Sequence, residues 1–370
     1  MGTDSVIFIR TDGNTQIATG HLVRCLCITE ALEKEGKQVI FLLSDEDSLS
    51  LLRELSSSLF SGIHFHYETR ILPNAKFDNL EAELWTLTNF LTNYKNSVLL
   101  IDSYYVTDHY LTSLKPYAKL AYMDDLRSFD YDVDLVINYD VIPPSRQSEY
   151  ELAYRKATKC LLGAEYTPLR PQFQNQTYEL NKEIKNILVT TGGSDPYSFC
   201  ETFASAFLAE KKEITLHIVI GKLFPDTTVA TLKQMDEMSP LIKLHYNITN
   251  MADLMKQCDC AISAAGTTLY ELCAIGVPAI SFTFADNQLT TAKTFAETGA
   301  VLYAGDLRTK KESLNPSQKS PATETICNIN QLVNQMITDF DTRSKLHSKM
   351  KTQVPQNGAS KIAKALCRLA

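Results

Sequence analysis

The chain has 370 residues, of which 44% are hydrophobic, which is enough apolar material for two domains with separate cores. The net charge is −7, from 36 basic and 43 acidic residues, and the basic residues are scattered, which argues against a nucleic-acid partner. No apolar run approaches the roughly 20 residues of a membrane span, so we expect no stable membrane insertion. The segment Met1–Ser5 lacks the features of a secretory signal.

Cysteine usage indicates a reducing compartment. The nine cysteines lie mostly in apolar segments, and their odd number favours free thiols in a cytoplasmic protein. Cys25 and Cys27, like Cys258 and Cys260, are separated by a single residue, which is not the spacing of zinc ligands. The sequence therefore predicts no metal site.

Apolar runs alternate with helical patterns along the chain, which is typical of βαβ units and parallel sheets. Strands are predicted at 6–10, 38–43, 63–67, 97–101, 119–123, 134–138 and 159–162, and again at 186–191, 215–220, 242–246, 260–264, 279–284 and 300–303. The first helix is predicted from His21 to Glu35, ending at Gly36.

The two halves predict an α/β protein with two Rossmann-like domains whose parallel sheets face each other across a cleft. The first domain is predicted at 1–163, a linker at 164–182 and the second domain at 183–355. A C-terminal helix at 356–370 is expected to pack back on the first domain, and the polar segment 305–322 is expected to be a loop.

The first candidate site follows the opening strand. His21 begins the predicted helix directly after Gly20, at the positive end of the helix dipole, which favours a neutral imidazole able to accept a proton. Asp12 is a candidate to orient the ring or hold a proton, and Arg10 and Arg24 are candidates to neutralise phosphate. The alternative is a helix-capping histidine without chemistry.

A second candidate group ends the strand predicted at 97–101. Asp102 is placed to bind a sugar hydroxyl or amide, and Tyr104 to stack on or hydrogen-bond a ligand. A strand-end turn held by the aspartate is the structural alternative. Asp124 and Asp125 carry the same ambiguity, and for Asp125 the structural reading is favoured.

Two loops of the second half predict a nucleotide site. Gly192, Gly193 and Ser194 follow a strand and lead into a helix, which is typical of an anion site at a helix N-terminus, although neither a dinucleotide fingerprint nor a P-loop is present. Gly266 and Thr267 begin a helix that carries Glu271, a carboxylate suited to two vicinal ribose hydroxyls. Asn287 and Gln288 add amide groups after the next strand.

Together these motifs resemble those of the UDP-2,4-diacetamido-2,4,6-trideoxy-β-L-altropyranose hydrolases of pseudaminic acid biosynthesis, the PseG family with its SpsG-like relatives. The second half is also similar to MurG-type glycosyltransferases, which share the GT-B architecture. The resemblance rests on Arg10, Asp12, Ile17, Gly20, His21 and Arg24, on Gly163, Tyr166, Arg170 and Phe173, and on the segments 191–195, 263–271 and 286–288.

The resemblance implies a GT-B fold and a role for each matched residue. His21 matches the general base, Tyr104 matches the tyrosine of an Asp-His-Tyr motif, and Arg170 lies in the linker motif and is expected to bind substrate. The diphosphate is expected at Gly192–Ser194, uracil at the backbone of Ile248 and ribose at Glu271. Asn287 and Gln288 match residues near the sugar or the diphosphate. The chain departs from the family at Ser103 and Val106, which were expected to face the sugar.

The sequence therefore predicts a cytoplasmic, monomeric enzyme that hydrolyses a UDP-linked diacetamido-trideoxy sugar to the free sugar and UDP. His21 is expected to activate water at the anomeric carbon, with no obligatory cofactor. Two alternatives remain at this point: a UDP-sugar glycosyltransferase that uses an acceptor hydroxyl in place of water, and a non-catalytic sensor of nucleotide sugars.

Overall fold

The computed structural model describes residues 6–14, 16, 17, 19–308 and 321–370. The chain folds into two compact units, one formed by Met1–Gln174 with Gln356–Ala370 and the other by Asn175–Pro355. The segment Met1–Ser5 and residues 309–320 of the predicted polar loop lie outside the described residues.

The first unit contains a seven-stranded parallel sheet. Its strands lie in the order β3-β2-β1-β4-β5-β6-β7. All positions of the central strands are buried because helices cover both faces of the sheet, and this explains their continuous apolar sequences. The strands are β1 (Ile7–Thr11), β2 (Val39–Leu43), β3 (Glu68–Ile71), β4 (Val98–Asp102), β5 (Lys119–Met123), β6 (Leu135–Asn138) and β7 (Lys159–Leu162).

Helices join these strands in the right order for a Rossmann-like domain. The α-helices are α1 (Gly20–Lys34), α2 (Glu46–Leu59), α3 (Leu84–Leu91), α4 (Asp108–Leu114) and α5 (Gln147–Ala153). Short 3-10 helices lie at Leu80–Glu83, Pro144–Arg146, Ala164–Tyr166 and Pro171–Phe173. The helix α1 ends before Gly36, whose φ of 73° is the left-handed conformation that terminates helices.

The second unit repeats the design with six parallel strands in the order β10-β9-β8-β11-β12-β13. The strands are β8 (Asn186–Thr190), β9 (Thr215–Ile220), β10 (Ile242–Tyr246), β11 (Cys260–Ala264), β12 (Ala279–Thr283) and β13 (Leu302–Asp306). The helices are α6 (Phe199–Ala209), α7 (Asp226–Met238), α8 (Met251–Lys256), α9 (Thr267–Ile275), α10 (Asp286–Glu297), α11 (Pro321–Thr338) and α12 (Phe340–Gln353).

The last helix, α13 (Gly358–Cys367), belongs to the first unit and packs against α1. Its apolar side chains, including Ile362 and Leu366, join the core cluster that contains Leu22 and Leu26 of α1. Among the described residues, no helix is both long and apolar enough to cross a membrane.

Candidate active site

The order of the strands in the first unit explains how its site is assembled. The strand order reverses between β1 and β4, and Thr11 at the end of β1 pairs with Asp102 at the end of β4. Ligands of open α/β sheets bind at such a switch point, beyond the carboxyl ends of the strands. Because α1 follows β1, its first turn brings His21 to the same place as Asp102.

His21 and Asp102 form a buried pair. The distance from His21 Nδ1 to Asp102 Oδ1 is 2.5 Å, and the two residues are 4% and 1% exposed. A carboxylate accepts hydrogen bonds, so Nδ1 carries the proton and Nε2 of a neutral imidazole holds the lone pair. No described residue hydrogen-bonds to Nε2. This arrangement fixes the tautomer that a general base requires.

Asp102 is fully engaged by its neighbours. Arg24 donates from Nε to Oδ2 at 2.6 Å and from Nη2 to Oδ1, while the Cys25 thiol lies 3.4 Å from Oδ2. Burial alone would raise the pKa of Asp102, but Arg24 and His21 lower it well below its ordinary value. The carboxylate is therefore ionised at neutral pH, and both of its oxygens already accept hydrogen bonds within this group of side chains.

Arg24 connects this pair to a second carboxylate. Its Nη1 lies 2.8 Å from Asp125 Oδ2 and 3.1 Å from Oδ1, and it donates to Tyr139 Oη at 2.7 Å. Tyr104 donates to Asp125 Oδ2 at 3.3 Å, and its ring meets His21 edge-to-face with 4.5 Å between centroids. Burial and the charge of Asp125 raise the pKa of Tyr104 to about 12, so its hydroxyl stays protonated.

The donors of Arg24, which the sequence predicts to neutralise phosphate, are taken in this structure by two aspartates and a tyrosine. For Asp125 the sequence favours a structural role, yet its side chain is linked to His21 through Arg24 and Tyr104. Its place directly after β5, the neighbour of β4, was the signal in the sequence that could have located it.

Arg10 and Asp12 form a separate buried network. Arg10 is fully buried and pairs with Glu83 through Nε at 2.6 Å and Nη2 at 2.8 Å, while its Nη1 lies 2.5 Å from Asp12. Asp12 accepts a hydrogen bond from the Ser44 amide at 2.7 Å. Arg10 has no exposed donor for a phosphate, and Asp12 does not contact His21. In this structure both residues tie β1 to β2 and to the 3-10 helix that ends at Glu83.

Three other predicted positions of the first unit differ in their burial and in their contacts. Val106 is only 7% exposed and packs in the core, so it does not face a ligand as expected. Ser103 is half-buried, and its hydroxyl accepts a hydrogen bond from the Tyr105 amide at 3.2 Å. Arg170 is half-buried, with its guanidinium carbon 5.0 Å from the centre of the Phe173 ring.

In the second unit, the glycine loop lies at the corresponding switch point, between β8 and β11. Gly192 has a φ of 84°, which only glycine adopts readily, and no described residue accepts from the amides of Gly193 and Ser194. The first amides of the following helix, α6, are already paired with a side chain. Asp195 caps it by accepting from the amides of Phe199 and Cys200 at 2.8 and 2.9 Å.

A second helix at this switch point has an open N-terminus. Helix α9 follows β11 and begins after Gly266, and no side chain caps it. Gly266 and Thr267 are exposed, and within the described chain the amides of Thr267 and Thr268 have no acceptor. Glu271 lies one turn further along α9 and is 8% exposed. The features expected of an anion site are thus divided between the loop at Gly193 and the start of α9.

The remaining predicted residues of the second unit lie at the same carboxyl edge of the sheet. Ile248 is half-buried in the loop between β10 and α8. Asn287 is exposed in the first turn of α10, whereas the Gln288 side-chain oxygen accepts from the Phe284 amide at 2.9 Å. In the described part of the chain, no group of three or more His, Cys, Asp or Glu side chains is placed to hold a metal ion.

Comparison with known sequences places the chain among proteins of sugar metabolism. The family model of the glycosyltransferase family 28 C-terminal domain matches residues 186–365. The Bacillus subtilis spore coat polysaccharide biosynthesis protein SpsG is 30% identical over 305 residues, covering 80% of this chain and 83% of the relative. An uncharacterized protein of Methanocaldococcus jannaschii is 28% identical over 74% of this chain, which spans only 54% of that relative's length.

A third relative carries a two-part name. The Helicobacter pylori pseudaminic acid cytidylyltransferase and UDP-2,4-diacetamido-2,4,6-trideoxy-beta-L-altropyranose hydrolase is 35% identical over 140 residues. That match covers 37% of this chain and 24% of the relative.

Solved structures agree with the architecture. MurG of Acinetobacter baumannii superimposes with a TM-score of 0.64 at 15% identity, covering 98% of this chain and 99% of MurG. Arabidopsis thaliana UGT89C1, solved with UDP-L-rhamnose, superimposes with a TM-score of 0.66 at 11% identity over 100% of both chains.

Two parallel sheets with helices on both faces, together with these structural neighbours, define a two-domain α/β protein of the GT-B fold. Within that class the extent of the match to SpsG is decisive. The chain belongs to the PseG/SpsG-like family.

Proposed function

We propose that the protein is an enzyme that processes UDP-sugars, and that its reaction is hydrolysis of a UDP-linked diacetamido-trideoxy sugar to UDP and the free sugar. The observation that carries the proposal is the contact between His21 and Asp102, which leaves Nε2 of His21 as an oriented base. The name of the H. pylori relative, which includes hydrolysis of such a nucleotide sugar, supports the choice of substrate class.

In the proposed reaction, Nε2 of His21 removes a proton from water as the oxygen attacks the anomeric carbon of the sugar. The bond from that carbon to the diphosphate oxygen breaks with inversion, and its electrons leave with UDP. Asp102 keeps Nδ1 protonated and stabilises the imidazolium that forms. Positioned base catalysis contributes about 10²–10⁴-fold, and orientation of the water and stabilisation of the leaving diphosphate supply the rest.

The second unit is proposed to hold the nucleotide. The amides of Gly193, Ser194 and Thr267 are suited to the diphosphate, because they are open donors at a switch point and the dipole of α9 favours negative charge there. Glu271 is proposed to bind the ribose hydroxyls, and the backbone of Ile248 to bind uracil. This proposal moves part of the diphosphate site from the 192–195 loop to the start of α9.

Tyr104 is proposed to accept a hydrogen bond from the sugar or from the attacking water, because its own hydroxyl proton is donated to Asp125. Tyr104 as a whole residue is 45% exposed, and its hydroxyl stays protonated near neutral pH. A protonated phenol that is hydrogen-bonded to a carboxylate can orient the water but is a poor base, so Tyr104 complements His21 and does not replace it.

The test is release of UDP from a UDP-diacetamido sugar with no acceptor present. We expect His21→Ala to lower kcat by about 10²–10⁴-fold while binding of UDP, measured by calorimetry, is unchanged. His109→Ala, which alters an exposed histidine of α4, serves as the matched control. Near-normal UDP release by His21→Ala would overturn the proposed mechanism.

A glycosyltransferase is the second candidate. It is favoured by the match to the glycosyltransferase family 28 domain and by the similarity to SpsG over most of both chains. The same His21 would then deprotonate an acceptor hydroxyl. UDP release that requires an added acceptor would identify transfer, whereas release into plain buffer would identify hydrolysis.

A further inference from the structure

The side chains linked to His21 carry more negative than positive charges. Asp102 and Asp125 are two carboxylates, and they share one guanidinium, that of Arg24. With a neutral imidazole the cluster therefore has a net charge of −1. When His21 takes a proton during the proposed reaction, the net charge becomes zero.

We infer that Asp125 is a positioning residue of the proposed reaction, acting through Arg24 to preserve the negative charge that stabilises the His21 imidazolium. It occupies the Nη1 side of the guanidinium in a two-pronged ion pair, while Asp102 occupies the Nε and Nη2 side. Without Asp125, the charge of Arg24 would cancel that of Asp102. The inference rests on the proposed function, because it concerns the base of that reaction.

The other titratable side chains around His21, Arg24 and Asp102 cannot supply this negative charge. Tyr104 packs on the imidazole, Tyr139 accepts from Arg24, and the Cys25 thiol contacts Asp102. Burial raises the pKa of each of these three groups, so all three stay uncharged near neutral pH. Among the described contacts of the cluster, the charge of Asp125 is therefore the one that can be removed without touching His21 or its direct partner.

The position of Asp125 also favours this role over a purely structural one. It follows β5 at the carboxyl edge of the sheet, and its side chain is 27% exposed. Tyr104 donates to the same Oδ2 that receives Arg24 Nη1. One carboxylate thus holds two side chains that contact His21, the guanidinium of Arg24 and the ring of Tyr104.

The test compares two variants that each remove one partner of Arg24 Nη1. Asp125→Asn keeps the shape and deletes the charge, and we expect kcat/KM to fall about tenfold, with the acidic limb of its pH profile moved ~0.5–1 unit to lower pH. Tyr139→Phe deletes a neutral partner, and its acidic limb should remain in place. Asp125→Glu restores the charge and should restore the wild-type limb, which a loss of folding alone could not explain.

The titration of His21, followed by NMR of the unliganded variants, gives a readout that does not depend on turnover. Asp125→Asn should titrate at lower pH than the wild type, and Tyr139→Phe should not. Coincident titrations of Asp125→Asn and the wild type, or an equal displacement in Tyr139→Phe, would overturn the inference. The proposed function is judged separately, by His21→Ala and UDP release.

Discussion

The start of helix α13 lies unusually close to the backbone of another segment of the first unit. Gly358 is the first residue of that helix, and a Cβ built on it would lie 2.1 Å from the carbonyl oxygen of Thr167 and 2.7 Å from the Thr167 amide nitrogen. Both contacts are with backbone atoms, which cannot rotate away. We therefore expect Gly358→Ala to force α13 away from the segment that contains Thr167.

The displacement can be estimated from the contact itself. An ordinary carbon–oxygen contact is about 3.2–3.4 Å, so the two backbones must separate by about 1 Å, beyond what a well-packed core absorbs without loss. Overpacking costs typically about 1–3 kcal/mol, and the backbone clash places this variant at about 2–4 kcal/mol of lost unfolding free energy. Because α13 packs on α1, the displacement also reaches the helix that carries His21.

Urea unfolding and hydrogen exchange of the α1 amides measure the two effects, and UDP release measures their consequence. A displacement near 1 Å at a catalytic group can cost about 10²-fold in rate. Ser360→Ala is the control, since Ser360 lies two residues further along α13 and is half-buried. If Gly358→Ala unfolds at the wild-type urea concentration and α1 exchanges no faster, the steric argument is refuted.

Two further predictions concern buried groups. Burial, with His245 nearby, lowers the pKa of His217 to about 4, whereas an unfolded histidine titrates near 6.5. The contribution of the neutral His217 ring to the free energy of unfolding is therefore complete above pH ~6.5. It declines as the pH falls towards 4, by about 1–2 kcal/mol after allowance for solvent screening. The urea unfolding midpoint of His217→Gln should decline less over this pH range than that of the wild type. At Cys25, Ala removes the thiol that donates to Asp102, so Cys25→Ala should lower kcat by about 3–10-fold, whereas Cys25→Ser keeps a donor and should retain at least about half of the wild-type kcat. Equal kcat values for these two variants would contradict a role for the thiol hydrogen bond.

Most of the secondary structure can be predicted from the sequence because the strands are short, apolar and separated by regular helices. Eleven of the thirteen described strands lie within one residue of their predicted positions, and β13 lies within three, in accord with the usual uncertainty of strand ends. The exception is β3, predicted at 63–67 and found at Glu68–Ile71. It is an edge strand with an alternating, half-exposed pattern, so apolar Ile63 and Phe65 before it gave a stronger but misleading signal.

The candidate site was predictable in its location but not in its internal pairing. Residues that follow β1 and β4 were expected at one sheet edge, and the structure brings His21 and Asp102 together there. Which carboxylate orients the imidazole depends on the order of the strands across the sheet, and the linear sequence does not state that order. Asp12 is close to His21 in sequence, whereas Asp102, separated by 81 positions, is its partner in space.

The charged residues near β1 show why a sequence motif alone does not distinguish a residue that binds a ligand from one that stabilises the fold. Arg10 and Arg24 both lie near the carboxyl edge of the sheet, and each forms ion pairs with two carboxylates. Burying a guanidinium in this way is costly unless its donors are satisfied, so both arginines need their acidic partners whether or not a substrate is bound. For Arg24 those partners include Asp102, the carboxylate that also contacts His21. The ion pair of Arg24 therefore stabilises both the fold and the position of the proposed base. Positive charge for a diphosphate must then come from elsewhere, which is why the open amides at the start of α9 carry more weight in the proposed site than either arginine.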